Sequence, residues 1–248
     1  MSRAAALASP RPALFLLGVE PWRAALEFLS HKLARTLAEG VGDGHPVVIF
    51  PGLATDGSAV APLREYCVGL GYSAFDWGRG FNTGPQGDLD AWLADLATHV
   101  SGLLDRHAKP ATLIGWSLGG LYARELGKLL SPRLRQVITI ATPFNALADH
   151  THAGWLFRLL NGSAPTFDEA LSARLRRPPP VPTTSIYSKS DGVVAWQACR
   201  HATRSKLTQD IEVSGSHIGM SWNRAVLSVI ADRLAQPPGQ WRRYQPQD

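Results

Sequence analysis

Residues 110–120 read P-A-T-L-I-G-W-S-L-G-G. A short apolar run, Thr112-Leu113-Ile114, gives way to a serine at 117 with Gly115 two residues before it and Gly119 two after. From Leu118 onward the pattern is helical. A strand, a sharp turn and a helix therefore meet at Ser117. Glycines on both sides let strand and helix approach closely, which holds the serine outward on a strained backbone above a sheet. The amide of Leu118 then falls in the first helical turn, where it has no intrahelical partner and can donate to an anion. The pattern G-x-S-x-G also occurs by chance, so its meaning depends on what else the chain brings to the same place.

Working outward, apolar strand-like runs alternate with helical stretches. His45–Gly52 (H-P-V-V-I-F-P-G) is a β-branched strand stopped by Pro-Gly, and Pro62–Gly71 reads as a helix followed by a strand at Tyr72–Asp76. Leu89, Leu93, Leu96, Val100, Leu103 and Leu104 form one stripe of a helix over Leu89–His107. After the strand at 112–116 and a helix at 118–130 come a strand at Gln136–Ala141, strands at Thr183–Tyr187 and Asp210–Val213, and a helix from about Asn223 to Leu234. Such alternation predicts βαβ units with right-handed crossovers around a mostly parallel sheet. The fold class is α/β, with about six strands flanked by helices.

Residues 144–180 break this rhythm just past the end of a strand, so an insertion of lid type is expected there. At the other end, a helical segment spans about 13–40. Trp22, Leu26, Leu29, Leu33 and Leu37 share one stripe of it. The favoured reading packs that stripe onto the body of the domain, the alternative being a membrane-surface or partner contact. With no internal repeat and no long linker, residues 1–248 are read as a single domain.

Composition narrows the function classes. The chain has 248 residues, 45% apolar and 18% charged, which describes a folded globular protein. The net charge of +5 is spread among scattered arginines without interleaved aromatics, so no nucleic-acid partner is expected. Two cysteines, Cys67 and Cys199, are too few for a disulfide framework or a zinc cluster. The apolar run at 13–18 is too short to span a bilayer and has the wrong flanks for a secretory signal. A cytoplasmic location is expected, with no stable membrane span.

Ligands of open α/β sheets gather at the carboxyl ends of the strands. Four loops meet that condition: Pro51–Asp56, Gly115–Gly119, Ser188–Gly192 and Ser214–Gly219. A serine is a weak nucleophile without a base, and the base needs an acid to fix its tautomer. His217 follows a strand between Gly215 and Gly219, and Asp191 follows another just before Gly192. Taken singly, Asp191-Gly192 is a turn and His217 a loop histidine. Taken together, the order Ser117, Asp191, His217 is the one expected for a nucleophile, an acid and a base on this architecture. The earlier strand end, Ala141–Asn145 (A-T-P-F-N), offers no rival carboxylate.

At these motifs the chain resembles the α/β-hydrolases, in particular compact bacterial lipases and esterases. The resemblance rests on Pro51-Gly52-Leu53, on G-W-S-L-G-G at 115–120 and on S-K-S-D-G-V-V at 188–194, and it covers roughly residues 45–235. It implies Ser117 as nucleophile, His217 as general base and acid, Asp191 as its orienting carboxylate, and the amides of Leu53 and Leu118 as the oxyanion hole. Many lipases carry His-Gly where this chain has Pro51-Gly52; a glycine still permits the tight backbone path.

The function expected is hydrolysis of carboxylic esters, acyl or lipid-like, through an acyl-enzyme. Acyl transfer, thioester or amide cleavage on the same scaffold, and a non-catalytic binding protein, are the alternatives. Trp116, Phe144 and Trp155 are the candidate substrate-binding residues, although packing alone would also account for them. No cofactor and no metal are expected. Asp149, His150 and His152 are the one dense polar group of metal-site type, and a polar lid segment is the better reading of them. The expected partner is a small-molecule or lipid-like ester, with transient contact to a lipid surface as a further option.

Overall fold

The computed structural model describes residues 14–33, 42–145, 169–203 and 205–245. Most of the expected lid, including Trp155 and the Asp149, His150 and His152 group, lies outside the described residues, as does Leu37. Among the described residues six strands run in chain order: β1 (Pro46–Phe50), β2 (Ser73–Asp76), β3 (Ala111–Trp116), β4 (Leu134–Ile140), β5 (Thr183–Tyr187) and β6 (Thr208–Glu212). All are parallel, in the spatial order β2-β1-β3-β4-β5-β6. The order reverses between β1 and β3, which opens a crevice at their carboxyl ends.

Successive strand residues point to opposite faces, and both faces are covered. Val48, Phe50 and Leu113 pack against α3 (Leu89–Leu104) and α4 (Leu118–Leu129), with Leu171 and Leu175 of α5 (Glu169–Arg176) beyond them. Val47, Ile49, Ile114 and Ile138 face α2 (Ala61–Gly69) and α6 (Arg224–Ala235), through Leu63, Val226 and Ile230 among others. This is why β1 reads as an unbroken apolar run and β3 as a nearly apolar one: every residue in them is buried, as is every residue of β5. Two helices begin on side-chain caps. Asp88 accepts from the Ala91 amide at the start of α3, and Asn223 accepts from those of Ala225 and Val226 at the start of α6. Cys67 and Cys199 are buried free thiols, and burial pushes that of Cys67 up to about 12.

Helix α1 (Leu14–Leu33) corrects one expectation. Its apolar stripe does not pack on the body: Trp22 is 76% exposed, Leu26 67% and Leu29 54%. The inward face is instead polar. Glu20 and Ala24 are buried, and Arg23 and Glu27 reach loops whose backbone amides and carbonyls need partners. No helix among the described residues is long and apolar enough to cross a membrane.

Away from the crevice, at the amino end of β1, His45 is fully buried, touching Asp43 at 2.6 Å and Thr112 Oγ1 at 3.0 Å. Burial lowers its pKa to about 4 from an ordinary 6.5; the hydrogen bond to Asp43 opposes this, and the Arg135 charge reinforces it. The unfolded chain therefore binds a proton at this site between pH 6.5 and 4 that the native state does not, so stability falls as pH drops through that window. Urea unfolding at pH 7 and pH 4.5 should show a smaller acid-induced loss for His45→Gln than for the wild type. An unchanged pH dependence would remove His45 as the sensor.

Candidate active site

Ser117 sits between β3 and α4 with φ 54° and ψ −122°, a region an L-residue adopts only under constraint. Close approach is the constraint. A Cβ on Gly119 would lie 2.4 Å from the Phe50 carbonyl oxygen, and one on Gly115 would lie 2.3 Å from that of Gly119. The first turn of α4 thus rests directly on the ends of β1 and β3. The Ser117 amide donates to the Ile140 carbonyl at 2.8 Å, which ties the turn to β4 as well.

Three of the sequence-predicted residues come together in one line. Ser117 Oγ is 3.1 Å from His217 Nε2, and His217 Nδ1 is 2.8 Å from Asp191 Oδ2. All three side chains are nearly closed off from water. The other oxygen of Asp191 accepts the amides of Val193 and Val194 at 2.8 and 2.7 Å, so the carboxylate is fixed from both sides. Burial lowers the His217 pKa, but the Asp191 charge and hydrogen bond, with the Glu20 charge behind them, more than offset it. The net direction is upward.

The remaining candidates divide. Leu53 lies in the loop after β1, partly buried against the core, and Leu118 is the first residue of α4. Trp116 is buried beside the histidine: its indole donates to the His217 carbonyl at 3.1 Å, with the rings 5.8 Å apart. This contact ties the end of β3 to the His217 loop. Phe144 is buried under the Arg124 guanidinium, 3.7 Å from its ring centre, and packs against His201.

Two positions carry more than their sequence context suggested. Asn82, buried in the glycine-rich loop after β2, donates to the carbonyls of Pro51 and Gly52 at 3.0 and 3.1 Å and accepts from Tyr122 and the Gly84 amide. Its own backbone pairs with Ala54 and Thr55. One asparagine thus holds the whole loop that carries Leu53, a link invisible in sequence because the partners lie about 30 residues apart. The other position is Glu20, on a helix that reads as amphipathic with the wrong face inward.

The sequence profile of the alpha/beta hydrolase family matches residues 47–246, from the first strand to the tail. The chain belongs to that family. Within it, the protein is 30% identical over 119 residues to a pimeloyl-[acyl-carrier protein] methyl ester esterase of Shewanella woodyi, an alignment covering 47% of this chain and 44% of the relative. The chain thus matches less than half the length of that curated relative. Among solved structures, a metagenome-derived lipolytic enzyme aligns over 79% of this chain and 95% of its own with a TM-score of 0.58 at 14% identity. Aspergillus fumigatus lipase B aligns over 83% of this chain and 56% of its own, with a TM-score of 0.60 at 16% identity. At such identities the likeness is one of fold.

Replacing Asn82 with alanine strips partners from buried carbonyls, an amide and a hydroxyl at once. Asn82→Ala should lower the unfolding free energy by roughly 2–4 kcal/mol in denaturant titration. A loss within about 0.5 kcal/mol would mean the Pro51–Thr55 loop is held by other contacts.

Proposed function

We propose that this hydrolase cleaves carboxylic esters of acyl or lipid-like type, with Ser117 as nucleophile, His217 as base and Asp191 as the acid that orients it. The observation that carries the reading is the buried line from Ser117 Oγ through His217 to Asp191, at 3.1 and 2.8 Å, beside the crevice where the strand order reverses. In this reading Ser117 Oγ attacks the ester carbonyl while His217 Nε2 takes its proton. The amides of Leu53 and Leu118 donate to the oxyanion as charge develops. His217 then returns the proton to the departing alcohol, and a water activated by the same nitrogen releases the acid. Preformed donors of this kind are worth about 3 kcal/mol each.

An ester, rather than an amide, is favoured by the methyl ester activity named for the Shewanella woodyi relative. The outward apolar face of α1, with Phe15, Trp22 and Leu26 exposed, suits transient contact with a lipid surface. Trp116 and Trp155 are retained as candidates for the acyl side of the site. Phe144, closed in by Arg124, would act from behind the wall.

The experiment is a kinetic series of p-nitrophenyl esters from about two to sixteen carbons. Each buried methylene contributes about 0.8 kcal/mol, so kcat/KM should rise several-fold per added methylene until the groove is full. A maximum at acetate would leave a small-ester esterase. No turnover at any length, with Ser117 reactive, would point to thioester or amide cleavage or to acyl transfer. Ser117→Ala should cost about 10⁶-fold in kcat and Asp191→Asn about 10⁴-fold, both with the fold retained.

The pH profile follows from the histidine. His217 works as a base only when neutral, and its pKa lies above 6.5 in the native state. Thus kcat/KM should rise with pH along a limb whose midpoint is above 6.5. A midpoint below 6.5 would contradict the balance of charges around the ring.

A further inference from the structure

Helix α1 grips the backbone on both sides of Asp191 and of His217. Arg23 donates to the carbonyl and hydroxyl of Ser190, the latter at 2.8 Å. One oxygen of Glu20 accepts the Gly192 amide at 2.7 Å, and the other faces the Ile218 amide at 3.4 Å. Glu27 accepts the Ser216 amide at 2.8 Å and reaches Asn223. Residues 190 and 192 flank the acid, and 216 and 218 flank the base. Three side chains at i, i+3 and i+7, on one face of one helix, hold all four.

The contact is tight and specific. A Cβ on Gly192 would lie 2.6 Å from the Leu16 backbone, so only glycine admits the helix at this distance. The Trp222 indole donates to the Ala24 carbonyl at 3.2 Å, and the Trp222 ring meets Phe28 edge-on, which fixes the helix along its length. Glu20 is 1% exposed, a buried carboxylate bonded to two amides and 3.7 Å from Arg23. A buried charge persists only when so compensated.

We propose that α1 is a clamp on the acid and histidine loops, and that Glu20 is the positioning residue that sets the Asp191–His217 geometry. The inference rests on the triad reading above. His217 is faced by Asp191 from the loop after β5, by Ser117 and Trp116 from the β3–α4 turn, and by Glu20 from α1, with Arg23 and Glu27 further along the helix. The Glu20 charge acts in the same direction as that of Asp191, raising the affinity of the imidazole for a proton. This helps the transition state, in which His217 is an imidazolium. It also moves the acid limb of activity upward.

The test uses a fluorophosphonate, because its reaction needs only the triad and no knowledge of the substrate. Ser117 Oγ attacks phosphorus, fluoride leaves, and His217 takes the hydroxyl proton. Second-order labelling rates are measured from about pH 5 to 9 for the full chain, for Glu20→Gln and for Glu20→Asp, with thermal unfolding followed in parallel. Glu20→Gln should shift the midpoint of the rising limb to lower pH and reduce the plateau by roughly ten- to a hundredfold, as small misplacements in such sites do. Glu20→Asp keeps the charge and shortens the reach, so its limb should stay near the wild-type position while its plateau falls. A merely structural role would lower stability without moving the limb. Wild-type midpoint and plateau in folded Glu20→Gln would overturn the proposal. If Glu20→Gln does not fold, an unaltered plateau in Glu20→Asp overturns it equally. Absence of labelling in the wild type would sink the triad reading and this inference together, whereas wild-type labelling with unaltered variants sinks the inference alone.

Discussion

The arrangement of the site depends on one close approach: the first turn of α4 lying against the ends of β1 and β3 with no Cβ between them. Gly115 and Gly119 make that approach possible, since any side chain there would meet backbone atoms at less than 2.5 Å. Backbone has nowhere to move in a sheet covered on both faces. Ser117 is consequently held at positive φ with its hydroxyl toward the crevice, and the adjoining helix start supplies amides without intrahelical partners. Everything else in the site is fitted around that fixed serine.

The fitting is done mainly with buried polar groups, and each has its compensation. Asp191 is satisfied by two amides as well as by His217. The Pro51–Thr55 loop is satisfied by Asn82, and the His217 carbonyl by Trp116. The loops bearing Asp191 and His217 present backbone amides at Gly192, Ser216 and Ile218, and α1 covers them with the carboxylates of Glu20 and Glu27. The same logic accounts for the inverted helix. Docking on polar backbone demands a polar face inward, so the apolar residues are left pointing to solvent.

This division also sorts the neighbouring histidines. His201 forms its own part-buried pair with Asp210 at 2.6 Å, and its second nitrogen meets the Arg124 guanidinium rather than a hydroxyl. His45 is a buried neutral group at the opposite end of the sheet from Ser117. Imidazole–carboxylate pairs thus occur at three places among the described residues. What separates His217 is that its second nitrogen points at a hydroxyl held on a strained turn.

Much of this was legible in the sequence, for identifiable reasons. Strands buried on both faces are mainly apolar, and their alternation with helical periodicity marks a parallel sheet. Strand ends in such a sheet collect on one edge, so Ser117, Asp191 and His217 stood out as polar residues in the loops following β3, β5 and β6. Boundaries shifted by a residue or two, as with the strand expected at Asp210–Val213 and found at Thr208–Glu212. The facing of α1 was not legible. Its sequence carries a good apolar stripe, and periodicity says which residues share a face but not what that face meets. Nor could sequence pair Glu20 with Gly192, Glu27 with Ser216, or Asn82 with Pro51. Those bonds join segments about 30 to nearly 200 residues apart, and they exist because unsatisfied backbone groups, which every sequence carries alike, are brought beside particular side chains only when the chain is folded.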